Sequence, residues 1–311
     1  MHRTTLLVAG LALALAACKG EPDPVAATPD APAAPKEVEL IPRDALFGNP
    51  ERAGVQISPD GKYLSWVAPV DGVLNVWVAP VDDPSAARAV TRDDARGIRN
   101  YFWSFRTDTL LYLRDTGGDE DFHLHAVDLT GGEARDLTPF AKTTAQVVSV
   151  SPSHPDSILV GMNDRDAQWH DLYRVELASG QRTLVEKNTQ QIAGYLVDGD
   201  YGLRYAQRAR PDGGMDVLRR AGNGWEKVDD IPFEDVLTTS TLGLTHDGST
   251  LYMADSRQRD TAAVYAVDSA SGQRTLLAED ARADIGGGLS DPRTGQLQAG
   301  SVNYLREEWK P

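Results

Sequence analysis

Ser58-Pro59-Asp60-Gly61 stands between two apolar stretches, Gly54 to Ile57 and Lys62 to Ala68. Proline at the second position presets φ, and glycine follows at the fourth, so the tetrad reads as a type I turn joining two strands. Degraded copies recur at Phe105–Asp108, Ser153–Asp156, Val197–Asp200, Thr245–Gly248 and Pro292–Gly295. The steps between them are 47, 48, 44, 48 and 47 residues. A fixed period in this range signals stacked units, and four short strands per unit signal a β-propeller.

Working outward, Asp71-Gly72 closes a tight hairpin after the second strand. Val73 to Ala79 is a third strand rich in β-branched and aromatic residues, and Ala87 to Thr91 a fourth. A second marker keeps the same phase. Asp128-Leu129-Thr130-Gly131-Gly132-Glu133 matches Glu176-Leu177-Ala178-Ser179-Gly180-Gln181 and Asp268-Ser269-Ala270-Ser271-Gly272-Gln273. Each marks the turn from third to fourth strand. Blades are expected to begin near residues 53, 99, 145, 192, 237 and 284. The count gives five complete four-stranded blades and about two strands of a sixth. Beyond residue 45 no helical period appears, and only Arg43 to Phe47 reads as a helical turn.

The first residues carry a different message. His2-Arg3 and the apolar run Leu6 to Ala16 form a leader too short to span a bilayer. It ends in Leu15-Ala16-Ala17-Cys18, which resembles the lipobox of bacterial lipoproteins and marks Cys18 for lipidation. Cys18 is the only cysteine of the chain, so no internal disulfide can form. Lys19, where an Asp would retain such a lipoprotein at the inner membrane, points to the outer membrane. Glu21 to Glu37, with five prolines among Ala and Asp, reads as an extended tether. The expected organisation is a leader at 1–17, a Pro/Ala-rich tether at 18–40 and an incomplete propeller at 41–311. The membrane is contacted through lipid alone. A formal charge of −15 with no basic run argues against a nucleic-acid partner.

The run Ile41-Pro42-Arg43-Asp44-Ala45-Leu46-Phe47-Gly48-Asn49-Pro50, then Val55 to Leu64, then Gly117-Gly118-Asp119-Glu120-Asp121-Phe122-His123-Leu124 resembles the amino-terminal propeller of the prolyl oligopeptidase family of serine peptidases. The acylaminoacyl-peptidase and dipeptidyl-peptidase-like branch is the most similar, and Ser301 to Trp309 extends the likeness. The resemblance implies a seven-bladed propeller that gates and positions peptide substrates for an α/β-hydrolase domain. That domain carries the Ser, Asp, His and oxyanion hole. The chain contains no Gly-x-Ser-x-Gly; Gly288-Leu289-Ser290-Asp291-Pro292 lacks the second glycine. No catalytic residue is therefore carried over, and the chain alone is expected to be inactive.

In the resembled enzymes, propeller carboxylates bind the substrate's amino terminus. Asp119, Glu120 and Asp121, beside Asp115, are the candidates here, by ion pairing with an ammonium group. The same loop also reads as a solvated hairpin. His123 and His125 alternate on one strand and so share a face, but two histidines do not make a metal site, and no metal or cofactor is expected. The six tryptophans read as packing between sheets. A reading from another class stays open: a free-standing periplasmic propeller lipoprotein that binds proteins, similar to the Tol-system propeller.

Overall fold

A computed structural model describes residues 40–130 and 133–311. The leader, Cys18, nearly all of the tether and the Gly131-Gly132 pair lie outside the described residues. The chain separates into two compact units at Phe47/Gly48. In the first, Arg43–Phe47 forms the single helical turn read from the sequence. The second, Gly48 to Pro311, holds every strand found among the described residues.

Each blade is an antiparallel meander with its strands in chain order. Blade one comprises Ala53–Ile57, Tyr63–Val70, Val73–Pro80 and Arg88–Ala89. Blades two to six begin at Tyr101, Ala145, Ile192, Ser240 and Ile285, within a few residues of the sequence expectation. The sixth sheet holds three strands, Ile285–Ser290, Leu297–Asn303 and Glu307–Lys310. That corrects the expected two. Glu307–Lys310 has almost no apolar alternation, and only its register against Asn303 to Gly300 reveals it.

The apolar runs exist because both faces of a blade are buried. Successive side chains on a strand point to opposite faces. Leu110 packs with Val76, Val78 and Val90 of blade one, while its neighbour Leu111 packs with Ile158, Val160 and Met162 of blade three. Leu159, Leu172 and Tyr201 join blades three and four. Tyr205, Val217, Leu251 and Met253 join four and five; Val264, Ile285 and Val302 join five and six. At about 25 cal/mol per Å² of apolar area, this stacking is the main source of stability.

The tetrads occupy one end of the blades and touch one another. Gly61 N donates to Ser58 O (2.8 Å), closing the first turn with Gly61 at φ 74°, a left-handed value that suits glycine. Gly199 N donates to His246 O (2.8 Å), and His246 N donates to Thr294 O (2.7 Å), so the turns of blades four, five and six are bonded in series.

Candidate functional site

In a meander, consecutive turns fall at alternate ends. The tetrads and the third-to-fourth turns share one end. The second-to-third hairpins and the crossings between blades share the other. Ion pairs occur at both ends, and the hairpin end holds the larger networks.

There, buried carboxylates tie hairpins to crossings. In blade one, Asn75 accepts from Asp93 N (2.7 Å) and Thr91 Oγ1 (2.8 Å), and Arg114 Nη1 lies 3.1 Å from Asp93 Oδ2. In blade three, Asp171 pairs with Arg165 (2.7 Å) and accepts from Asn188 N (2.7 Å). In blade four, Asp216 pairs with Arg208 (2.7 Å) and Lys227 (3.0 Å). Between blades four and five, Arg257 bridges Asp229 (2.8 Å) and Asp255 (2.6 Å), and Arg274 also pairs with Asp255. Burial opposes ionisation of Asp255, but hydrogen bonds from Arg257 and Arg274 win and bring its carboxyl down to about 2. Each of these carboxylates is already engaged, so the networks read as scaffolding.

A cleft of about 400 Å³ opens at the same end, lined by Arg96, Arg99, Asn100, Leu113, Arg114, Asp115 and Phe122. It lies where the crossing from blade one meets the second hairpin of blade two. Asp115 is buried, with Oδ1 3.2 Å from Arg96 Nε. Gly118 sits against that guanidinium, where a Cβ would fall 2.7 Å from Nη1.

The acidic loop forms one rim of this cleft. Asp119 turns its carboxylate inward, accepting from Thr116 N (3.1 Å) and Asp121 N (3.2 Å). Glu120 adopts φ 62° and its carbonyl accepts from Thr144 Oγ1 (3.2 Å). Among the described residues, Glu120 and Asp121 make no ion pair, and Glu120 is exposed. The loop therefore leaves two carboxylates unengaged and commits the third to its own backbone.

His123 and His125 share a face as expected, and that face is partly covered. His123 Nδ1 lies 2.7 Å from Asp136 Oδ2, and His125 stacks on Tyr112 with centroids 5.1 Å apart. Burial holds the His125 imidazole below its ordinary pKa, outweighing the nearby Asp136. Among the described residues no three His, Cys, Asp or Glu side chains group as metal ligands. Trp66 and Trp103 are buried between sheets, whereas Trp309 is half exposed.

The first strands, with Gln207 of the second strand of blade four, line a second cavity of about 340 Å³ through Val148, Ser149, Gly194 to Val197 and Thr241 to Leu244. These strands come from blades three, four and five, so the cavity lies on the axis side of the sheets. Sequence reasoning missed the arginines of the cleft. The signal was Arg92-Asp93-Asp94-Ala95-Arg96-Gly97-Ile98-Arg99, a dense charge run placed on a crossing and not on a blade face.

No family model matches the chain. Among solved structures, a prolyl endopeptidase matches with TM-score 0.53 and 15% identity over 73% of this chain and 35% of that one. The β-propeller domain of the Trilobed protease from Pyrococcus furiosus matches with TM-score 0.52 and 17% identity, over 83% and 80%. The class is thus a β-propeller with the architecture found in these proteases. In sequence, the chain is 71% identical over 309 residues to dipeptidyl aminopeptidase BIII of Pseudoxanthomonas mexicana, covering 99% of this chain and 44% of that protein. It is 27% identical over 294 residues to dipeptidyl peptidase family member 6 of Caenorhabditis elegans, covering 87% and 39%. Along nearly its whole length the chain is thus similar in sequence to a dipeptidyl aminopeptidase, and in fold to the propellers of these proteases. It spans less than half the length of the curated relatives it matches.

Proposed function

We propose that this propeller gates and positions peptide substrates for a serine-peptidase hydrolase domain that releases dipeptides. The observation that carries this reading is the 71% identity with a dipeptidyl aminopeptidase, sustained over 309 residues. The hairpin end of the blades is the surface offered to that domain. It bears Phe122, Phe233, Tyr304 and Leu305, all exposed, between the Arg–Asp networks. Exposed apolar groups among fixed charges favour a protein partner over bulk water. Glu120 and Asp121 are assigned to the substrate's ammonium group, with Asp119 holding the loop in shape. The channel lined by the first strands limits access to unfolded peptides. No metal or cofactor enters this mechanism.

The same reading places the protein in the cell envelope. Cys18 carries lipid, residues 18–40 act as a tether, and the propeller faces the periplasm from the outer membrane.

A domain exchange tests the proposal. The matching portion of the P. mexicana enzyme is replaced by this chain, and release of dipeptides from a chromogenic dipeptidyl substrate is measured. Restored turnover that falls when Glu120 and Asp121 become Gln and Asn is the expected result. A folded exchange protein without turnover, or hydrolysis by the 311-residue chain alone, refutes it.

A further inference from the structure

We infer that the cleft between Arg96, Arg99 and Asp115 binds the carboxyl-terminal residue of a short peptide, a site separate from the Glu120 and Asp121 side chains on its rim. Three observations converge. First, the positive charge is not all used. Arg114 is engaged by Asp93 and Arg96 by Asp115, but among the described residues Arg99 makes no ion pair. It stands exposed on the wall of a 400 Å³ cleft, and Arg96 beside it is half exposed. A guanidinium with free N–H groups is the side chain best matched to a carboxylate.

Second, a buried acceptor is left over. Asp115 is 7% exposed, and only its Oδ1 has a partner; Oδ2 is buried with no donor. Buried carboxylate oxygens are normally satisfied, so an orphan in the wall of a cleft points to a donor supplied from outside. Third, the remaining lining is apolar, from Leu113 and the partly exposed Phe122. A ligand that meets all three demands carries a carboxylate, an N–H beside it and an apolar side chain. The last residue of a peptide has these on a single α-carbon. The ligand needs no ammonium group, which distinguishes it from the substrate end assigned to the acidic loop. The choice of a peptide over other amido acids rests on the peptidase reading, whereas the recognition chemistry does not.

The test uses the 311-residue chain and N-acetylglycyl-L-leucine, which has the carboxylate, the N–H and the apolar side chain but no amine. Binding is followed by calorimetry against the corresponding C-terminal amide. Saturable binding of the acid is expected, with the amide at least about tenfold weaker, since hydrogen bonds to charged groups are worth that much. Arg99→Gln is expected to reduce the acid to the level of the amide without changing the amide, and Arg99→Lys to restore part of the difference. N-methylation of the leucine nitrogen is expected to weaken binding through Asp115. The inference is overturned by equal binding of acid and amide, by unchanged affinity in Arg99→Gln, or by no saturable binding at millimolar peptide. Because no hydrolysis is read, failure here leaves the domain-exchange result standing, and the reverse also holds.

Discussion

Ser65 joins blades one and two, and its removal gives a sharp prediction. The residue is fully buried, and its Oγ accepts from Trp103 Nε1 at 2.9 Å. The Tyr101 hydroxyl lies 2.9 Å from the same Oγ and donates to Gly54 O at 2.8 Å. In Ser65→Ala the indole N–H loses its acceptor inside a closed core, while Tyr101 keeps Gly54. An unsatisfied buried donor costs about 1–3 kcal/mol, so a loss of about 2 kcal/mol is expected from the single change. Trp103→Phe removes the donor as well as packing volume. In that background Ser65→Ala orphans nothing and is expected to cost under about 1 kcal/mol, giving a coupling of roughly 1–2 kcal/mol. Urea unfolding of the four proteins, followed by circular dichroism, measures the cycle. A cost of Ser65→Ala that is the same with and without Trp103 would refute the reasoning.

Three further outcomes are expected. Asp255 has an ordinary carboxyl pKa of 3.8 when unfolded and about 2 when folded. Its contribution is therefore complete above about pH 4 and is lost as pH falls towards 2; it amounts to roughly 2 kcal/mol. Urea midpoints against pH should fall less steeply in Asp255→Asn than in the parent, and equal slopes count against the Arg257–Asp255–Arg274 cluster. At the other extreme, burial pushes Tyr101, Tyr112 and Tyr201 up to about 12 and Tyr195 higher still. Stability from these four is whole below pH 10 and drains as pH rises through their folded values; absorbance at 295 nm should show these tyrosines ionising above the ordinary range near 10. Gly97 sits at φ 77°, and a Cβ there would lie 3.1 Å from Leu74 N and O. Gly97→Ala is expected to cost about 2 kcal/mol in thermal or urea unfolding, and an unchanged midpoint contradicts the described path of this crossing.

Much of the fold was legible because its signals are local. Turn residues at a fixed interval fix the blade starts, since proline and glycine restrict φ wherever they stand. Leu110-Leu111-Tyr112 is an unbroken apolar run, the pattern of a strand buried on both faces. The hairpin end was far less legible. Arg99, Arg114 and Asp115 are 15 or more residues from one another at the extremes, and nothing in their spacing says that a crossing and a hairpin meet. His123 and His125 show the complementary lesson. Alternation told which face they share, but not that Asp136 and Tyr112 cover it. Glu307–Lys310 was missed because its identity as a strand lies in its neighbour's register and not in its own residues.

The bonds between successive tetrads bear on how such a molecule changes over time. Gly199, His246 and Thr294 are linked backbone to backbone, so lengthening any one of these turns displaces the next along the row. The opposite rim accommodates hairpins of different length, from the two residues Asp71-Gly72 to the eight between Arg114 and His123. A residue added to one of these three turns therefore shifts its neighbours, whereas hairpins of two to eight residues are accommodated on the rim that carries the arginine cleft and the acidic loop.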